Sequence, residues 1–236
     1  MVPEIFGQDY VDGVYWTLQY ELSFYALILL ALLFNFHKKL DTFFLTWPFA
    51  ILLAGFSNLS PLPYLGGYYC YFSAGAVLAI LKEQKTWRVM LAVLISCYLC
   101  IDFSAGKSEQ LSSIKGFIYS ANIIGYIIIL YFVFFLVLIS KWGSTLSLPG
   151  STLAGGLTYP IYLIHAHFGY MILSRFGSSE NRAQIYLVTF FLVFCVAFLV
   201  HIFVEKRLSK QWKNIFRIFV TSPLDVLTKK MTALRG

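Results

Sequence analysis

Seven long apolar stretches alternate with short polar or turn-forming breaks along the chain. They fall at about 14–34, 43–57, 64–81, 87–103, 114–139, 153–174 and 185–204, with ends good to roughly 2–4 residues. The breaks read HKKLDT (37–42), NLSPLP (58–63), KEQKT (82–86), DFSAGKSEQ (102–110), KWGSTLSLPG (141–150) and RFGSSENR (175–182). A hydrocarbon core about 30 Å thick asks for about 20 consecutive apolar residues in a helix, and most of these runs approach that length. The stretch at 43–57 is the shortest and carries Pro48. Membrane β-strands would alternate apolar and polar over about ten residues, whereas these runs are continuous. Short connections favour antiparallel neighbours. The pattern therefore predicts an all-α integral membrane protein, a bundle of about seven transmembrane helices.

Composition narrows this further. Of 236 residues, 59% are hydrophobic, 19% aromatic and only 12% charged, with a mean hydropathy of +0.74. A soluble domain carries about 25% charged residues, and a disordered chain combines low hydrophobicity with high charge, so both are excluded. The net charge of +7 would admit nucleic acid as a partner, but its placement argues otherwise. Eight of the 18 Lys and Arg residues follow residue 205: Lys206, Arg207, Lys210, Lys213, Arg217, Lys229, Lys230 and Arg235. No nucleic-acid motif accompanies them. A basic segment just after an apolar span reads instead as an orientation signal and an anionic-lipid contact. The expected organisation is a membrane domain over 1–205 and a basic cytoplasmic tail over 206–236.

Alternating the breaks between two sides puts 14 of the 18 basic residues with the tail and 4 opposite. Without the tail the bias narrows to 6 against 4. The positive-inside rule then predicts an outside N-terminus and a cytoplasmic C-terminus. Residues 1–13 (MVPEIFGQDYVDG) lack the basic start of a signal peptide. An N-terminus translocated without a leader is expected to follow earlier spans, so the chain reads as the rear part of something longer.

Ionisable groups inside spans are costly, and each is a functional candidate by default. Glu21 lies about seven residues into the first stretch, roughly 10 Å below its boundary. Thr17, Glu21 and Tyr25 share one helix face at i, i+4, i+8, with Trp16, Tyr20 and Phe24 on the adjacent one. A polar stripe beside an aromatic stripe suits a cavity wall for a polar, ring-containing molecule. The plainer account is a paired carboxyl within an interfacial aromatic belt. The segment LTYPIYLIHAHFGY (157–170) places Thr158, Tyr162, His165 and Gly169 on a second stripe, with His167 about 200° away from His165. Pro160, after Gly155 and Gly156, removes one helical hydrogen bond and can kink the helix. A neutral histidine there could act as acid, base or hydrogen-bond donor, or simply bond a neighbouring helix.

Other positions carry less. Glu205 is expected to pair with Lys206 or Lys210 at the end of the last span, near His201, and Asn122 with Ser120 can line a cavity or join helices. Gly75 and Ala79 make a small-xxx-small pair suited to close helix contact. Asn58-Leu59-Ser60 matches a glycosylation sequon followed by Pro61. The four cysteines, Cys70, Cys97, Cys100 and Cys195, all lie in apolar stretches. Cys97 and Cys100 form a C-x-x-C without the βαβ context or the extra ligands that redox or metal chemistry needs. Packing thiols, no disulfide framework and no metal are expected. No P-loop, H-E-x-x-H, G-x-S-x-G or dinucleotide fingerprint is present.

Three segments in order resemble the acyltransferase 3 family of multi-span membrane acyltransferases. VDGVYWTLQYELSFY (11–25) is similar to its Trp-Thr/Ser-Leu-x-x-Glu segment, and YFSAGAVLA (71–79) to its aromatic-rich span ending in a small Gly motif. LTYPIYLIHAHF (157–168) resembles its Ser/Thr-Tyr-x-x-Tyr-Leu-x-His segment, followed at FVEKRLSK (203–210) by a Glu-Lys exit. Arg207 stands where the family usually has Pro. The resemblance implies about ten spans, of which seven are here. It also implies transfer of an acyl group, acetyl in the first instance, from cytoplasmic acyl-CoA to a hydroxyl of a cell-envelope sugar, polysaccharide or lipid. No bound cofactor is implied, acyl-CoA being a co-substrate, and the location implied is a bacterial inner membrane. A homo-oligomer stays open. The family's proposed catalytic His and Arg-rich donor motif belong to its first spans, and no position here matches them. By resemblance, Trp16, Glu21, Tyr162 and His165 shape the acceptor cavity or position the acyl group. The rival reading is a carrier or flippase-like bundle, with Glu21 and His165 binding a proton or substrate along a path.

Overall fold

The computed structural model describes residues 16–34, 36–57 and 59–221, and every regular element among them is helical. The helices are α1 (Trp16–Leu33), α2 (Leu40–Phe56), α3 (Tyr69–Glu83), α4 (Trp87–Lys115), α5 (Ala121–Ile139), α6 (Ser151–Phe176) and α7 (Arg182–Val200). The last passes through a π-helical turn (His201–Lys206) into α8 (Arg207–Phe216). Each predicted stretch thus holds one helix. Among the described residues, four helical rods are long and apolar enough to cross a membrane: α1, α4, α5 and the continuous Arg182–Phe216. Helix α2 is apolar but shorter. This is a membrane protein.

The break expected at 102–110 is absent, because α4 continues to Lys115. Lys, Glu and Gln are good helix formers, so polarity alone does not stop a helix. The serines there also satisfy themselves within the helix. Ser104 donates to the Cys100 carbonyl, Ser108 to Ala105 (2.7 Å) and Ser112 to Ser108 (2.7 Å). Termination comes at Gly116, whose φ of 70° is left-handed and whose N–H bonds the Ser112 carbonyl. A glycine after the last helical residue is a common stop for that reason. Ser120 then caps α5, accepting from the Ile123 N–H. Pro48 and Pro160 both lie inside their helices, α2 and α6, and both are buried. The segment after residue 205 is helical as far as Phe216 and π-helical to Thr221. Residues 1–15 and 222–236, with Lys229, Lys230 and Arg235, and the sequon residue Asn58 lie outside the described residues.

The described residues form two compact units. One runs from Ser23 to Leu146; the other combines residues up to Leu22 with those from Ser147 onward. In the Ser23–Leu146 unit, α3 and α4 pack through small side chains. Ser73, Ala74 and Val77 of α3 and Ala92, Ser96 and Cys100 of α4 are all buried. Small residues allow the close backbone approach that packing in lipid requires. The expected Gly75–Ala79 contact is not that seam. Both residues face a cavity instead, and a Cβ added at Gly75 would meet nothing within 4 Å. Around Trp47, only 3% exposed, gathers an aromatic cluster in which Phe24 stacks on the indole at 6.1 Å. The Trp47 indole N–H donates to the Tyr64 carbonyl at 2.7 Å, so its polar edge is satisfied. In the other unit, α6 packs along α7, and Leu157, Gly169, Ile172, Thr189, Val193 and Ala197 are buried.

Candidate functional site

The unit built on α6 and α7 assembles the most chemistry. Thr17, near the start of α1, hydrogen-bonds through its hydroxyl to the Tyr162 hydroxyl on α6. One turn further along α6, His165 Nδ1 bonds the Tyr162 carbonyl at 2.8 Å, with the Ile161 carbonyl at 3.3 Å. A carbonyl only accepts, so Nδ1 carries a proton, and in the neutral imidazole Nε2 is then the acceptor. The Tyr162 and His165 rings lie 5.9 Å apart. His165 also lines a groove of about 340 Å³ with Ile161, Tyr186, Thr189, Phe190, Val193 and Phe194. Thr189 already donates to the Ile185 carbonyl at 2.7 Å. The groove is therefore apolar along most of its length, with an imidazole and a phenol as its polar groups. Such a wall can hold an acyl chain or sugar ring while the imidazole accepts one hydrogen bond from it.

The other sequence-derived candidates distribute unevenly. Trp16 and Tyr20 meet edge to face at 6.1 Å. Glu21 is half-buried on α1 and makes no ion pair among the described residues. Tyr25, 60% exposed, belongs to the Ser23–Leu146 unit, so the stripe expected from Thr17 to Tyr25 is split between units. Asn122 is exposed in the first turn of α5, in that same unit. His167 is exposed and outside the groove lining. Thr158 donates to the Gly155 carbonyl at 2.6 Å instead of joining Tyr162.

One expectation is corrected. Glu205 pairs with neither Lys206 nor Lys210; its Oε2 lies 2.7 Å from His201 Nδ1. The π-helical turn carries both residues, and the His201 ring is buried against α6. A Cβ at Gly156 would sit 2.9 Å from His201 Nε2, so α6 needs glycine there. The i, i+4 spacing of His201 and Glu205 is visible in the chain. That His201 fills the notch at Gly156 is not, since 45 residues separate them. Phe190 and Phe194, also in the groove, look in sequence like any lipid-facing aromatics. Among the described residues no three His, Cys, Asp or Glu side chains gather as a metal site.

A family model described as an acyltransferase domain matches residues 3–204. The chain belongs to the acyltransferase 3 family. No curated protein and no solved structure gives a significant match. As a member of acyltransferase 3, it is in general terms a membrane acyltransferase, and the matched span takes in α1 through α7 and stops within the π-helical turn.

Proposed function

We propose that the protein transfers an acyl group, acetyl in the simplest case, from cytoplasmic acyl-CoA to a hydroxyl of a cell-envelope sugar, polysaccharide or lipid. In this reading it spans a bacterial inner membrane about seven times, with its N-terminus outside and its C-terminus in the cytoplasm. The membrane domain extends to residue 205 and a basic tail follows. The observation that carries the proposal is the Thr17–Tyr162–His165 assembly beside an apolar groove.

In the reaction, the acceptor oxygen attacks the thioester carbonyl, a C–O bond replaces the C–S bond, and the hydroxyl proton ends on the departing thiol. Three things help: a base for that proton, donors for the developing oxyanion, and exclusion of water. In this reading the His165 Nε2 lone pair accepts from an acceptor hydroxyl and fixes its direction. Tyr162, itself held by Thr17, sets the place of the ring, and the Phe190 and Phe194 wall keeps water out. Trp16, Tyr20 and Glu21 continue the acceptor wall along α1. His165 is assigned positioning and not the base.

The test is acceptor-dependent transfer of label from acetyl-CoA in membranes containing the protein. Glu21→Gln is expected to impair transfer while membrane insertion stays intact. Turnover unchanged in that variant would remove Glu21 from the site. Acceptor movement across the membrane without any label transfer would favour a carrier.

A further inference from the structure

Helix α8 lies beyond residue 204, where the family match stops. Helix α7 is 19 residues long, about 28 Å at 1.5 Å per residue, which already matches a hydrocarbon core of about 30 Å. The rod of which it forms part runs for 35 residues, about 52 Å. With α7 in the core, α8 falls outside it.

What α8 carries there is strongly two-sided. At 100° per residue, Leu208, Trp212, Ile215 and Phe216 fall within about 100° of one another. Arg207 flanks them on one side and Lys213 on the other, with Lys210 on the far face. Trp212 is 53%, Ile215 46% and Phe216 60% exposed, and Lys206, Arg207, Lys210 and Lys213 are exposed as well. The helix packs chiefly on its own flanking π-helical turns. A soluble helix end would have no use for an exposed tryptophan and phenylalanine on one stripe.

We propose that α8 lies along the bilayer surface and binds anionic lipid. Its apolar stripe enters the headgroup boundary, while Lys206, Arg207, Lys210 and Lys213 meet lipid phosphates. Charge complementarity selects this occupant: an apolar stripe edged by cations fits an anionic interface. Long basic side chains can bury their stems and keep their charges at the headgroups. In this proposal the π-helical turn at His201–Lys206 supplies the change from spanning to surface-lying, π-bulges being recognised sites of helix bending. This inference is independent of the acyl-transfer reading.

The experiment uses the full chain in nanodiscs, either of phosphatidylcholine alone or with phosphatidylglycerol added. Chymotryptic cleavage after Trp212 and Phe216 is followed by mass spectrometry. Cleavage is expected to slow at least about fivefold when the anionic lipid is present, and high salt should reverse the protection. The triple variant K206Q/K210Q/K213Q should lose that lipid dependence with its membrane helices intact. Trp212→Ser should show raised cleavage after Phe216 in anionic discs. Equal cleavage in both lipids overturns the proposal, whether fast, meaning α8 stands free in water, or slow, meaning the chain itself covers the apolar stripe. Lipid-dependent protection that survives the triple variant overturns it too.

Discussion

The two units solve the same packing problem in lipid but keep different things open. The Ser23–Leu146 unit has the larger cavity, about 660 Å³, walled by Phe24, Phe44, Phe72, Gly75 and Ala79. Its polar lining groups are Asp41, Tyr71, Glu83 and Gln84. Tyr71 shares a hydrogen bond with Ser104 (2.6 Å), and Gln84 donates to Asp41 (3.2 Å). The α6–α7 unit has a groove about half that size, lined by the His165 imidazole, whose Nδ1 is bonded to its own helix backbone. The two cavities therefore differ in kind as well as in volume: carboxylates and an amide line the larger, an imidazole the smaller. Size follows from where small residues such as Gly75 and Ala79 fall. In the proposed site, acceptor positioning rests on one histidine whose Nδ1 is tied to its own helix backbone.

Removing the imidazole is the strongest way to break that comparison. His165→Leu keeps an apolar side chain in α6 but deletes the acceptor, and is expected to lower kcat/KM by about 10–100-fold, the effect of losing one hydrogen bond worth roughly 1–3 kcal/mol. Transfer at the parent rate would move the site elsewhere. Next comes Gly156→Ala, which drives a methyl into the His201 ring. It should destabilise the α6–α7 unit by about 1–3 kcal/mol, read as a lowered midpoint in detergent unfolding. His201→Ala in the same chain should recover part of that loss, because the clash then has no partner.

A smaller effect sharpens the picture inside the site. Thr17→Val and Tyr162→Phe each remove one end of the same hydrogen bond, so the double variant should cost less than the sum. The expected coupling is about 0.6 kcal/mol, as for hydrogen bonds between membrane helices; additive losses would mean the two hydroxyls act separately. The smallest effect belongs to the other unit. Gly75→Leu fills open space in the larger cavity and should leave acyl transfer within about twofold, since surface-type substitutions move stability by roughly 0.5 kcal/mol or less. A large loss of activity there would make the bigger cavity the working one.

Much of this is legible in the amino-acid sequence. Apolar run length located helices α1 to α7, because hydropathy is local and a span must satisfy its backbone within itself. The order of the Trp16–Glu21, Tyr71–Ala79 and Tyr162–His165 segments pointed to the family that residues 3–204 match. The run at 102–110 misled because its Lys, Glu and Ser residues are polar yet helix-compatible, and only Gly116 stops the chain. Glu205 misled because a lysine next in sequence looks like a partner, whereas the histidine one turn back holds the carboxylate.

The amino-acid sequence alone thus determined the class of molecule, the places of the apolar helices α1 to α7 and the basic character of the segment after residue 205, but not the full length of α4 or the helix α8. Each rests on interactions within a few residues, or on bulk preference for lipid over water. Tertiary structure decided which side chains meet. Thr17 and Tyr162 are 145 residues apart, and Gly156 and His201 come together only because α6 packs against the π-helical turn that follows α7. No local pattern encodes such pairs. They depend on how two helix surfaces interlock, and a single added methyl at Gly156 is enough to change that fit.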